Sequence, residues 1–279
     1  MIQFSNVVSP SKMQSGEHFS ANQYSRLAFD GYSGPVLNID HFTMSGPTFT
    51  AHPHAGFSAV TYLFNDSVGS FINRDSLGNT HELLPGSTHW TRASRGIIHE
   101  EMPTENDKPV KGLQIFFNLP EANQLDEPAA FHVSPEKVDI KRLENAIVHR
   151  VSVRGTEISG QDALPNAVMI TETYLPMQTS FELTIPQNFS GILLVVEGCV
   201  GIGHLNIEAD HAIGFKTDSP ETISLQGLSA SNRIVLIAGE HFEQPVFQRG
   251  PFMLASQKQL EAAIHRYKRG DFGQLNHSI

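Results

Sequence analysis

Phe49-Thr-Ala-His52-Pro-His54 places two imidazoles two residues apart, and His99-Glu-Glu101 places an imidazole and a carboxylate at the same interval. Along a strand, residues i and i+2 project from one face, so each pair can reach a single ion. Two strands presenting two ligands each would surround a divalent metal with His52, His54, His99 and Glu101, inside a barrel that excludes bulk water. Three neutral imidazoles and one carboxylate bring the charge of such a site to about +1, and an octahedron leaves two positions open for substrate, water or dioxygen. Either pair alone is a weak signal, because a lone His-x-His is more often a surface or hydrogen-bonded pair. The two together on neighbouring strands are far more specific. Pro53 argues for an edge strand or a strand start, since proline has no N–H for a central ladder.

His81 and His89 are the competing imidazoles; Pro85-Gly86-Ser87-Thr88-His89 has the Gly-x-x-His spacing that many cupin barrels use for a third histidine. Glu100 is the alternative carboxylate, although the strand period points it away from His99. His18, His41, His132, His149, His204, His211, His241, His265 and His277 stand without sequence partners and read as surface or structural residues. Other chemistries fail on inspection. Position 103 is proline, so His99-Glu-Glu-Met-Pro103 is not a His-Glu-x-x-His zinc motif, and no nucleophile elbow, Walker loop or dinucleotide-binding glycine run occurs. The single cysteine, Cys199, excludes an intramolecular disulfide and reads as a small buried residue suited to a reducing compartment.

The elements that must position these ligands are short and strand-like, separated by Gly, Pro, Asn, Asp and Ser clusters, the pattern of a sandwich or barrel. Strands are expected over 59–64 and 111–119, with a hairpin turn at 75–79 and another turn at Pro85-Gly86. A second set falls at 146–153, 167–175, 180–185, 192–196, 222–225 and 233–238. Ser256 with Gln259 makes a capping box, and Leu260, Ala263, Ile264 and Tyr267 give one apolar face, so a short helix closes the chain near Gly270. The polar stretch 121–136, punctuated by Pro120, Pro128 and Pro135, reads as a linker between an N-terminal metal-binding domain, 1–120, and a C-terminal domain without ligands, 137–279. Residues 61–68 echo 193–200, each a β run followed by a tight turn. That alignment puts His52 and His54 near Thr184 and Pro186, so the second half would lack the ligands.

With 279 residues, 39% hydrophobic and 17% charged, the chain has the composition of a folded globular protein of two domains. A net charge of −10 argues against direct nucleic-acid binding, which needs clustered Lys and Arg. The most apolar run, 191–196, ends at Glu197, far short of a membrane span. The first residues lack a signal peptide's basic and apolar regions, so the cytoplasm is the expected compartment.

Several of these motifs taken together resemble the pirin family of bicupins. The matching text is His52-Pro-His54-x-Gly56-Phe57 with Val60-Thr61-Tyr62, then Arg74-Asp-Ser-Leu-Gly-Asn79, Pro85-Gly86, Arg95-Gly96-Ile-Ile-His99-x-Glu101-Met102-Pro103 and Gly112-Leu113-Gln114. Leu236-Ile-Ala-Gly-Glu240 and Gly250-Pro251-Phe252 extend it almost to the end. The resemblance implies an all-β chain of two cupin barrels (double-stranded β-helix, jelly-roll) packed together, with a monomer expected. It also implies one metal in the N-terminal barrel, usually non-haem iron, with other first-row metals able to enter such a site. The family's ligands carry over onto His52, His54, His99 and Glu101. Three departures stand out: Ala55 replaces the usual arginine, 38–42 follows the family loosely, and His89 stands where glutamine is usual.

Two functions follow from that likeness. Some members resemble quercetin 2,3-dioxygenases, which open the flavonol heterocycle with dioxygen and release carbon monoxide; Glu101 would then be both ligand and base. Others resemble non-catalytic regulators, in which the metal or its redox state tunes binding to a transcription factor or a metabolic enzyme.

Overall fold

Period-two alternation broken by turn residues folds, in the computed structural model, into strands nearly throughout; residues 1–275 are described, and His277 lies outside them. The strands that build and frame the site are β1 (Gln3–Val8), β2 (Ser11–Ser15), β3 (Phe19–Ser25), β4 (Val36–Met44), β5 (Phe49–His54) and β6 (Phe57–Leu63). Then come β7 (Phe71–Asp75), β8 (Thr80–Leu83), β9 (Thr88–Arg92), β10 (Ile97–Pro103), β11 (Val110–Asn118) and β12 (Ala129–Val133). A seven-stranded sheet in the order β12-β9-β6-β11-β4-β3-β2 and a four-stranded sheet in the order β5-β10-β7-β8 make the first barrel. Phe19, Phe42, Met44, Leu63, Phe71, Leu83 and Val110 fill its core.

The second barrel repeats the plan. Its seven-stranded sheet runs β1, His211–Lys216, Phe189–Glu197, Ser231–Glu240, Val168–Pro176, Val148–Gly155, Asp139–Arg142, and its four-stranded sheet runs Ser180–Ile185, Glu221–Gly227, Cys199–Ile202, Leu205–Glu208. Phe189–Glu197 therefore sits where β6 sits, and Ser180–Ile185 where β5 sits, which gives the short sequence echo a structural basis. The strand in β5's place carries no imidazole. The chain is thus a bicupin, mostly strands with one short C-terminal helix.

Compactness does not follow the linear division at 121–136. One unit takes Met1–Ser11, Asn22–Asn38 and Lys137–Phe242; the other takes Lys12–Ala21, Ile39–Glu136 and everything from Glu243 on. The physical reason lies in two edges. β1 completes the second barrel's larger sheet by pairing Phe4 with Phe215 and Val7 with Ile213. The closing helix α1 (Gln257–Lys268), capped by Ser256 accepting from the Gln259 N–H, buries Leu260 and Ala263 in a cluster with Ala55, Phe252, Leu254 and Phe272. With the residues that flank it, the helix therefore joins the unit of the first barrel rather than a C-terminal domain over 137–279. No helix among the described residues is long and apolar enough to cross a membrane.

Candidate metal centre

β5 is an edge of its sheet, the one place where Pro53 costs no ladder hydrogen bond. Its neighbour β10 pairs His99 with His52 and Ile97 with His54, and on its other side pairs His99 with Asp75 and Glu101 with Asn73. The β5–β10 register slips by one residue between His99 and Glu101, a bulge of the kind that re-aims side chains beside sites. The two ligand-type pairs predicted from strand period thus come from adjacent, directly paired strands.

The three imidazoles converge. Ring centroids lie 4.8 Å apart for His52–His54, 4.7 Å for His52–His99 and 4.9 Å for His54–His99. One nitrogen from each lies within 4.8 Å of the others, so the group can hold a metal ion. Burial, and then the neighbouring His52, lowers His54 to about 3, against a weaker upward pull from the Pro251 carbonyl. Burial, then His54, His52 and His89, also lowers His99. Both rings are therefore neutral at physiological pH, the state in which imidazole ligates. His54 Nδ1 and His99 Nε2 are buried without a protein hydrogen-bond partner, as ligand nitrogens aimed at an ion would be. His52 Nδ1 lies 2.9 Å from the Thr50 carbonyl, which fixes that nitrogen as the N–H and leaves Nε2 with its lone pair.

Glu101 stands on the wall of the same cavity, outside the group of three. Its carboxylate is met by the Thr61 hydroxyl and, at 3.3 Å, by the Asn73 amide, which is also 3.2 Å from His99 Nδ1. Thr61 lies 2.9 Å from Gln114 Oε1 as well. One hydroxyl proton cannot serve two acceptors, so the trio closes only if Gln114 turns its NH2 toward Thr61 or Glu101 carries a proton. Burial raises the Glu101 carboxyl, opposed by Thr61, His52 and Asn73. Glu100 points the other way and pairs with Arg74 at 3.1 Å.

The cavity in front of these groups measures about 200 Å³. Phe42, Phe49, Phe71 and Phe116 form its aromatic walls, Met13 and Met44 its flexible ones, and Asp40 adds a carboxylate. Sequence reasoning did not find Thr61, Asn73 or Gln114 as holders of Glu101. Their only signal is cross-strand register, Gln114 opposite Thr61 and Glu101 opposite Asn73.

The remaining histidines are placed differently. His89, opposite Thr61 in register, is not part of the trio; its ring neighbours are His81 and His132, so His132 is not a solitary surface residue. His149 is buried against Phe181, its Nδ1 2.8 Å from Thr173 Oγ1, and Cys199 is buried.

Known proteins resemble this chain in sequence and fold. Residues 3–117 match the Pirin family and residues 170–273 match the Pirin C-terminal cupin domain. A candidate quercetin 2,3-dioxygenase of Pseudomonas aeruginosa is 31% identical over 254 residues, covering 85% of this chain and 86% of that one. A quercetin 2,3-dioxygenase structure from Acinetobacter baumannii superposes with a TM-score of 0.85 at 21% identity over 98% of this chain and 99% of the other. A bacterial pirin from Escherichia coli, solved with nickel(II), superposes with a TM-score of 0.67 at 16% identity, over 86% of this chain and 99% of that one.

Proposed function

The chain belongs to the pirin family, and on that footing we propose that it is a mononuclear metal enzyme, an iron-dependent dioxygenase that opens flavonols such as quercetin. The observation that carries the reading is the convergence of three imidazoles, those of His54 and His99 buried and neutral, at the head of an aromatic cavity. His52, His54 and His99 would hold the ion, with Glu101 as fourth ligand. Imidazole–carboxylate sets suit iron and other first-row metals, and the orphaned nitrogens of His54 and His99 fit that role. When bound, the ion supplies Lewis acidity toward a substrate oxygen.

The chain's own residues do the rest. Phe42, Phe49, Phe71 and Phe116 offer faces and edges to a flat aromatic substrate. Glu101, its carboxyl raised by burial, is poised to take the proton of the flavonol hydroxyl. Thr61 and Asn73 hold it in place. The apolar walls exclude water from the heterocycle while dioxygen is consumed and carbon monoxide leaves.

One observation favours the rival, a non-catalytic regulator that reads metal or redox state for a protein partner. The cavity, about 200 Å³, is below the range of about 300–1,000 Å³ usual for drug-sized ligands. A flavonol enters only if walls such as Met13, Met44 and Phe49 shift.

The deciding experiment loads the protein anaerobically with Fe(II), adds quercetin, and follows flavonol loss, oxygen uptake and carbon monoxide on exposure to air. The enzyme reading expects one oxygen and one carbon monoxide per flavonol, with iron and turnover both lost in His99→Ala. Iron and quercetin bound without turnover would transfer the function to the regulator.

A further inference from the structure

The second barrel has a cavity at the strands where the first gathers its three imidazoles, and lines it with different chemistry. In the first barrel, β2, β3 and β4 of the larger sheet and β5 of the smaller contribute to the cavity wall. Asp139–Arg142, Val148–Gly155, Val168–Pro176 and Ser180–Ile185 hold those four places in the second. The cavity they border measures about 710 Å³, within the range of about 300–1,000 Å³ usual for small organic ligands.

Register gives this cavity a cationic side. Lys141 pairs with His149, and His149 with Thr173; directly opposed residues share a face of the sheet. Arg154, five residues beyond His149, would lie on the opposite face of a regular strand. A bulge between Val151 and Val153 shifts the register, so that Arg154 pairs with Met169, which alternation puts on the same face as Thr173. Met169 belongs to the second barrel's core cluster, so Lys141, His149 and Arg154 are all on the inner side of the sheet.

His149 is buried, its ring 4.7 Å from that of Phe181. Thr173 Oγ1 meets its Nδ1 at 2.8 Å, which leaves Nε2 for the cavity that the ring lines. Burial, then Arg154 and Lys141, lowers its pKa to about 4 against an upward pull from Asp139. The net field at the ring is therefore positive. Lys141 lies 3.9 Å from Asp139, whereas Arg154 makes no ion pair among the described residues. Glu182 is at the rim, alternating with Phe181 and Leu183, which pack on the core. Met169, Phe181 and Phe189 supply apolar surface.

We propose that this cavity binds a small aromatic carboxylate, its ring against Phe181 and Met169 and its carboxylate on Arg154 and Lys141. A planar guanidinium matches a carboxylate with two parallel hydrogen bonds, and a flat ring suits the face or edge of Phe181. The proposal does not depend on the dioxygenase chemistry of the first barrel.

The test is fluorine NMR of 4-fluorobenzoate titrated with the full chain. Saturable binding is expected, weakened about tenfold in Arg154→Gln and in Lys141→Gln, the low end for a hydrogen bond to a charged group because both positions are exposed. That exposure leaves the fold intact, which melting temperature checks. Affinity should be unchanged in His52→Ala/His54→Ala, and the neutral 4-fluorobenzamide should bind about tenfold more weakly than the acid. No saturation, wild-type affinity in both Arg154→Gln and Lys141→Gln, binding lost in His52→Ala/His54→Ala, or amide and acid binding alike would each overturn the site. Inorganic phosphate displacing 4-fluorobenzoate at equal concentration would overturn the aromatic class of ligand.

Discussion

A single hydroxyl proton stands between two oxygens at the centre of the proposed iron site. Thr61 touches the Glu101 carboxylate and Gln114 Oε1, all three on strands of the first barrel. Groups that orient ligands are typically worth about 10- to 100-fold in metal affinity when removed. Thr61→Val keeps the shape and removes the hydroxyl, while Asn73 still holds one side of Glu101. The expected outcome is a 10- to 100-fold loss of Fe(II) affinity by anaerobic titration, with Thr61→Ser close to wild type. Equal affinity in Thr61→Val would mean that Glu101 does not serve the metal. This scale also marks the limit of the sequence. The convergence of His52, His54 and His99, with Glu101 on the wall of the same cavity, was legible because strand period puts i and i+2 on one face. Thr61, Asn73 and Gln114 were not, because their role depends on which strand lies opposite which, and periodicity does not encode partners.

Among the elements, the turn after β5 is tightly constrained. Gly56 has φ +90°, and a Cβ there would lie 2.0 Å from the Met253 carbonyl oxygen and 2.7 Å from Leu254 Cγ. The missing side chain lets Phe252–Leu254 run against Ala55, with the Met253 N–H donating to the Ala55 carbonyl at 3.0 Å. That contact fixes the backbone that carries His54. Gly78, in the 75–79 hairpin turn, is also left-handed at φ +89° but has nothing within 4 Å. Gly78→Ala therefore measures conformational strain alone, about 1–3 kcal/mol. Gly56→Ala adds the collision with backbone, so its melting temperature is expected to fall further than that of Gly78→Ala, and its metal affinity with it. Equal losses in the two variants, by calorimetry and metal titration, would show that the Met253 strand does not hold the ligand turn. The 75–79 turn and the Ser256 cap were readable from local chemistry, Asp75 accepting from the Leu77 and Asn79 N–H groups and Ser256 from Gln259. The seat for Phe252–Leu254 was not, because it joins residues about 200 apart in the chain.

At the scale of the whole molecule, the chain builds its units out of linear order. Two cupin barrels were legible from strand density, the internal echo and the family motifs. The destinations of the two ends were not, since an amphipathic helix shows which face it will bury and not against what. The face formed by Leu260, Ala263 and Ile264 docks on Ala55 and Ile98, the immediate neighbours in sequence of His54 and His99. Ile98 alternates with His99 along β10, so one face of that strand bears the imidazole and the other receives the helix. Phe272 caps the same cluster: its ring occupies the space a Cβ at Gly96 would need, and its carbonyl accepts from the Ser76 hydroxyl at 2.6 Å. A chain ending at Phe242 keeps every proposed iron ligand but exposes this apolar patch and frees the backbone behind two imidazoles. It is expected to bind more hydrophobic dye, to melt earlier, and to hold Fe(II) more weakly than the full chain. A truncated protein with full-length melting temperature and iron affinity would mean that the first barrel organises its ligands unaided. Weaker binding with strand content intact by circular dichroism would show that the C-terminal segment is part of the metal centre's support.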